Sequence, residues 1–169
     1  LVAHYKAIAD SIKIPVILYN VPSRTGVNIS VAALKELAKV ENIVAIKEAS
    51  GDIGYAMKIR REVPELYMYS GNDDMIVPVM SLGGKGVISV LSNVAPRQTH
   101  EICAKYLAGD VKEASQMQLD AIDLIEALFC EVNPIPVKQA LNLMGMEAGT
   151  LRLPLTEMEE ATTARLKAS

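Results

Sequence analysis

Short apolar, β-branched runs alternate with segments of helical hydrophobic spacing along much of the chain. The first run covers residues 15–19, and Ser30 then stands as N-cap to a pattern carrying Leu34, Leu37 and Ala38. A second run at 43–47 precedes a helical pattern over 53–62 that includes Met57 and Ile59. A third lies at 66–70, after which Asp73 and Asp74 open a helix that ends before Gly83-Gly84. The fourth, 86–90, leads into a helix begun by Pro96 and containing Ile102, Cys103 and Leu107. Strand and helix recurring at this spacing predict an α/β fold with a parallel sheet.

The residues before Pro15 read as a helix belonging to an earlier strand. Beyond 109 the pattern turns to helices alone. These are a long amphipathic stretch over 114–130, a helix with Asn133 as N-cap and Pro134 at its first position, and a last one with a Thr156/Glu159 capping box. The expected organisation is a leading helix plus four βα units over 1–109, then a helical extension over 110–169.

Four βα units suit either a small doubly wound sheet or half of a (β/α)8 barrel. A complete barrel takes about 250 residues, more than the 169 present. A doubly wound nucleotide site places its glycine-rich turn after a strand and before a helix. Gly83-Gly84-Lys85-Gly86 has the opposite order and reads as a helix C-cap and tight turn.

Composition narrows the functions. With 50% hydrophobic residues and a net charge of -3, the chain can bury a core and carries no basic field for nucleic acid. No apolar run reaches the roughly 18 residues of a membrane helix, and no secretory signal is visible, so a cytoplasmic location is expected. Cys103 and Cys130 lack CxxC spacing, and His4 and His100 lack metal-ligand spacing, so no metal is expected.

Lys47 is the residue with chemistry to explain, because it closes the strand-like run 43–47 with an amine. Burial in an apolar pocket disfavours the ammonium and leaves a base able to attack a carbonyl carbon, which makes Schiff-base formation the leading reading. The alternative is a lysine that snorkels from a strand end into water. Ends of parallel strands converge on one face. There the sequence collects Tyr19, Arg24, Lys47, Gly71 and the 86–90 run: a phenol, a guanidinium, an amine and a glycine that permits close approach. Alternation puts Ile43 and Ala45 on the side of Lys47, with the small Ala45 beneath its stem, and turns Ile17 and Tyr19 inward likewise. Glu48 alternates to the helix-facing side, while Asp52, Asp73 and Asp74 suit helix N-termini, so all four acids read as structural. Lys138, the rival amine, falls in a helical pattern.

Tyr19-Asn20-Val21-Pro22-Ser23-Arg24-Thr25-Gly26, Ile46-Lys47-Glu48-Ala49-Ser50, Ser70-Gly71-Asn72-Asp73, Gly86-Val87-Ile88-Ser89-Val90 and Asn133-Pro134-Ile135-Pro136-Val137-Lys138 follow one another in an order that resembles the dihydrodipicolinate synthases, pyruvate-dependent class I aldolases. The resemblance implies the C-terminal half of a (β/α)8 barrel, with Lys47 forming an imine and then an enamine with pyruvate. Attack of that enamine on aspartate semialdehyde and cyclisation would give 4-hydroxy-tetrahydrodipicolinate, toward diaminopimelate and lysine. It implies Tyr19 as the proton-transferring phenol, Arg24 as the holder of the semialdehyde carboxylate, Ile88 as a main-chain contact of pyruvate and Gly71 as pocket lining. No cofactor is expected, since a protonated imine is itself an electron sink.

Matched to that family, the chain lacks an N-terminal half with four more βα units, a Gly-Thr-Thr-Gly-Glu motif and a second tyrosine lent by a neighbouring subunit. Leu1 in place of Met points the same way. The expectation is a chain inactive alone, joined to its missing half or held in a homo-oligomer such as the family's tetramer. Two alternatives remain: another pyruvate aldolase such as N-acetylneuraminate lyase, and a half-barrel without turnover.

Overall fold

Alternate burial along three short strands decides how the first half of the chain folds. The computed structural model describes residues 1–169, which divide into two units, Leu1–Ile88 and Ser89–Ser169. In the first unit α1 (Val2–Asp10) precedes β1 (Val16–Asn20), and α2 (Pro22–Thr25) and α3 (Val31–Leu37) lead to β2 (Ile43–Glu48). α4 (Ile53–Glu62) leads to β3 (Tyr67–Ser70), and a 3-10 turn at Asp73–Met75 runs into α5 (Ile76–Ser81). The strands form one parallel sheet in the order β1-β2-β3.

One face of this sheet is dry. Leu18, Ile46 and Met68 are fully buried there among Leu34 and Leu37 of α3, Ile59 of α4 and Leu66. Each such side chain contributes about 1.5–3 kcal/mol by leaving water. Its helices start where local chemistry allows: the Ser30 side chain accepts from Ala33 N at 3.2 Å, and Asp52 Oδ1 from Tyr55 N at 3.0 Å. α5 stops at Gly83, whose φ of +87° suits glycine, with Gly83 N donating to Met80 O and Gly84 N to Val79 O. The glycine turn therefore caps a helix, as its position in the sequence predicts. On the surface, Lys35 of α3 bonds Glu62 of α4 at 2.7 Å and, with Arg61, holds that carboxyl down at about 2.

Tyr55 is the buried phenol of this unit, and its hydroxyl donates to Ile29 O. Burial, and then the nearby Glu48 charge, push it up to about 12 from the usual 10. A folded-state value above the unfolded one gives stability that is full below the unfolded value and lost as pH rises through the folded one. The wild-type protein should therefore lose stability between about pH 10 and 12 more steeply than Tyr55→Phe, in denaturant midpoints measured across that window. Parallel curves for the two proteins would remove Tyr55 from the alkaline transition.

The opposite face of the sheet carries Ile17, Tyr19 and Tyr67 at 46%, 41% and 55% exposure, so no layer of this unit covers it. The fourth strand expected over 86–90 is shorter than its apolar pattern suggests. Only a parallel bridge joins Val87 to Ser70, flanked by Ser70 N bonding Gly86 O and Ile88 N bonding Ser70 O, each at 2.9 Å. Pairing stops because Ser89 turns to local partners: its hydroxyl accepts from Ser92 N and its carbonyl from the Ser92 hydroxyl. A 3-10 turn, Leu91–Asn93, follows.

The second unit contains α6 (Pro96–Leu107), α7 (Val111–Asp120), α8 (Ile122–Leu128), α9 (Ile135–Leu143) and α10 (Glu160–Ala168). α6 packs on α7 and on Leu91–Asn93, which assigns it here and places the division at 88/89, not at 109/110. The single stretch expected over 114–130 is two helices broken at Ala121, with α7 packed on α6 and α8 on α9 and α10. Pro134, not Asn133, is the N-cap of α9, since its carbonyl accepts the first intrahelical bond, from Lys138 N at 3.1 Å. The Thr156/Glu159 capping box does not form. α10 starts three residues later than that box implies, at Glu160, and the Glu131 carboxylate serves its first turn by accepting from Glu159 N and from the Thr162 hydroxyl.

Candidate active site

Parallel pairing sets Tyr19 of β1 against Lys47 of β2, and Lys47 against Tyr69 of β3. A period of two then puts Tyr19, Lys47 and Tyr69 on the open face, at the C-terminal ends of the strands. Lys47 Nζ lies over the Tyr19 ring, 4.2 Å from its centroid. Such a contact attracts a cation by about 0.5–1 kcal/mol at a partly exposed site. It also fixes the amine beside the phenol. Ala45 is buried one alternation below Lys47, as expected of the small residue beneath the stem. Lys47 itself is half-buried, not sealed in an apolar pocket as the sequence suggests. It is open because its face of the sheet has no covering layer in this unit.

Gly71 closes the other side of the lysine stem. Its N–H donates to Glu48 O at 2.7 Å, and a Cβ there would stand 3.1 Å from Lys47 Cε and 2.6 Å from Ala49 Cβ. Any side chain at position 71 must displace Ala49 and the lysine. Ile88 is tied to the same strand end through its bond to Ser70 O, and alternation from Val87 turns it toward the open face. Arg24 stands exposed in the last turn of α2, just beyond β1 and at the same sheet edge as Lys47. Gly26 ends that short helix at φ +67°, and Arg24 makes no ion pair. Tyr19, Lys47 and Gly71 are thus brought together, while Ile88 and Arg24 share their edge.

The model of the Dihydrodipicolinate synthetase family matches residues 1–169. The chain belongs to this family. It is 56% identical over 165 residues to a 4-hydroxy-tetrahydrodipicolinate synthase of Acetivibrio thermocellus, covering 97% of this chain and 56% of that protein. A Lachnoclostridium phytofermentans protein of the same name is 60% identical over 163 residues, covering 95% and 55%. Among solved structures, a dihydrodipicolinate synthase superposes with a TM-score of 0.96 at 42% identity, over 99% of this chain and 58% of that one. Another, from Thermotoga maritima, gives 0.93 at 41% identity with the same coverage. The chain therefore spans little more than half the length of these family members.

Within this family member the rival groups have structural work. Lys138 sits in α9 and its Nζ donates to Thr150 O at 2.6 Å. Asp52 caps α4, Asp73 and Asp74 open the 3-10 turn before α5, and Glu48 is buried on the helix side. Sequence reasoning missed two features of the site. Tyr69 lies beside Lys47 in register, which strand alternation alone could have revealed. Asn20 and Asn28 bond to each other at 2.7 Å across a loop, a contact with no local signature.

Proposed function

We propose that this chain supplies the lysine-bearing part of a 4-hydroxy-tetrahydrodipicolinate synthase, a class I aldolase-type lyase built on a (β/α)8 barrel. Four βα units of that barrel would lie here, the last with its strand reduced to the Val87 bridge. The observation that carries the reading is Lys47 Nζ, 4.2 Å from the Tyr19 ring at the carboxyl ends of parallel strands. Active sites of such barrels collect at that end.

Lys47 Nζ adds to the C2 carbonyl of pyruvate and expels water, leaving a protonated imine. C3 then loses a proton and its electron pair moves toward the imine nitrogen, giving an enamine without metal or organic cofactor. C3 of the enamine attacks the aldehyde carbon of aspartate semialdehyde. The semialdehyde's own amine closes on C2 and releases Lys47, forming 4-hydroxy-tetrahydrodipicolinate. Tyr19 carries protons in these steps, Arg24 holds the semialdehyde carboxylate, and Ile88 and Gly71 line the pyruvate pocket. The uncovered face beside Lys47 would be closed by the remainder of the barrel, in a homo-oligomer, since a wet site would weaken these charge contacts. A cytoplasmic location fits a chain in which no helix is long and apolar enough to cross a membrane. Neither nucleic acid nor a membrane is among the proposed partners.

The second reading, an N-acetylneuraminate lyase, shares the imine but not the partner aldehyde. A coupled assay on a polypeptide of full family length containing this chain decides between them. Turnover with pyruvate plus aspartate semialdehyde, and none with N-acetylneuraminate, is the expected result. The reverse would assign the lyase, and neither activity would leave the half-barrel without turnover.

A further inference from the structure

Directly behind the Tyr19–Lys47 pair lies the next rung of the same ladder, Asn20 opposite Glu48. Both side chains turn to the helix-covered face, where Asn20 is 1% and Glu48 5% exposed. A buried carboxylate without an ionic partner is costly unless its oxygens are bonded. Here they are. Glu48 Oε2 accepts from Asn20 Nδ2 at 2.8 Å and Oε1 from Ser50 N at 2.6 Å. Asn20 is held in turn: its Oδ1 accepts from Ile29 N at 2.9 Å, and its Nδ2 also donates to Asn28 Oδ1. The Glu48 charge is felt by Tyr55, which is pushed up partly by it. Such fully satisfied polar networks rigidify what they join.

We propose that Asn20 and Glu48 are positioning residues for the aldolase chemistry: their buried hydrogen bond locks β1 against β2 one residue past Tyr19 and Lys47 and so holds the phenol and the amine in register. This rests on the reading of Lys47 as the imine-forming residue. A Val or Leu pair at these positions would fill the space as well. It would lack the atom-to-atom direction of this hydrogen bond, which adds to the register the backbone ladder already sets. Each side chain instead accepts or donates at a defined atom, and the backbone bond from Ala49 N to Asn20 O at 2.9 Å continues the same clamp.

The bond has a polarity that can be reversed. Asn20→Asp removes the donor and sets two carboxylates face to face. Combining it with Glu48→Gln restores a donor from position 48 to position 20, while the new amide oxygen still accepts from Ser50 N. The test measures the rate of borohydride-trapped pyruvate imine at saturating pyruvate, in full-length protein, for wild type, Asn20→Asp, Glu48→Gln and the double variant. Asn42→Ala serves as control. Its amide anchors Ala9 O at 2.9 Å and Ile12 O at 3.2 Å, at the far end of β2, so it lowers the melting temperature without touching the pair.

Asn20→Asp is expected to trap about tenfold more slowly, within the range that misplacement by about 1 Å costs. The double variant should return to within about threefold of wild type, and Asn42→Ala should trap at the wild-type rate below its melting temperature. Two results would overturn the clamp: a folded Asn20→Asp that traps at the wild-type rate, or a folded double variant no faster than Asn20→Asp. Should the single variants fail to fold, the double variant is compared with wild type instead: folding and trapping within about threefold support the clamp, and a folded double variant about tenfold slower overturns it. Absence of any adduct in the wild type would be a different failure, that of the imine reading itself.

Discussion

Replacing Lys47 with arginine should abolish turnover while leaving the first unit folded. The arginine keeps a positive charge on a long stem that can still lie over the Tyr19 ring, and Lys47 makes no salt bridge whose loss would cost stability. A guanidinium stays protonated at any accessible pH and has no free electron pair to offer a carbonyl. Removal of a covalent nucleophile shows as a loss of about a thousandfold or more. Steady-state assays of the full-length variant with pyruvate and aspartate semialdehyde, with circular dichroism as control for folding, are the check. Turnover within tenfold of wild type would move the chemistry to another amine.

Tyr19→Phe separates the proton transfer proposed for its hydroxyl from the support given by its ring. The aromatic face that supports the Lys47 amine survives, and only the hydroxyl leaves. Turnover is expected to fall by about a hundredfold to ten-thousandfold, the usual worth of a positioned general acid or base. Pyruvate trapping with borohydride should suffer less, because one imine step needs fewer proton transfers than the full cycle. An unchanged kcat would reassign Tyr19 to support of the lysine alone.

Both expectations come from a site whose frame could be read along the chain. Burial of Leu18 and Ile46 against exposure of Ile17 and Tyr19 follows period-two alternation, which also gave Glu48 its helix-side position. α4 runs over Ile53–Glu62 as its pattern predicts, because Asp52 caps it and apolar residues repeat at helical spacing. Where the reading failed, distant partners outweighed local pattern. The first turn of α10 takes Glu131 as its acceptor, 28 residues from Glu159, and no local motif announces that. The break at Ala121 has no proline or glycine to mark it, and reflects the different helices on which α7 and α8 pack. The fourth strand ends at Ser89 because two serines bond each other, although Val87, Ile88 and Val90 favour extension.

At the site, Lys47 was legible as an amine closing a strand, whereas the apolar pocket expected around it is not formed within this unit. Strand patterns report which face a residue takes, and whether a second layer covers that face depends on chain brought from elsewhere. The Asn20–Glu48 bond is likewise a tertiary fact, joining residues 28 positions apart.

Peptide mapping by mass spectrometry after incubation of the full-length protein with pyruvate and borohydride locates the reactive amine directly. A carboxyethyl adduct on Lys47, absent from Lys138 and from protein treated with borohydride alone, is the result expected. An adduct confined to any other lysine, or none at all, would contradict imine chemistry at this strand end.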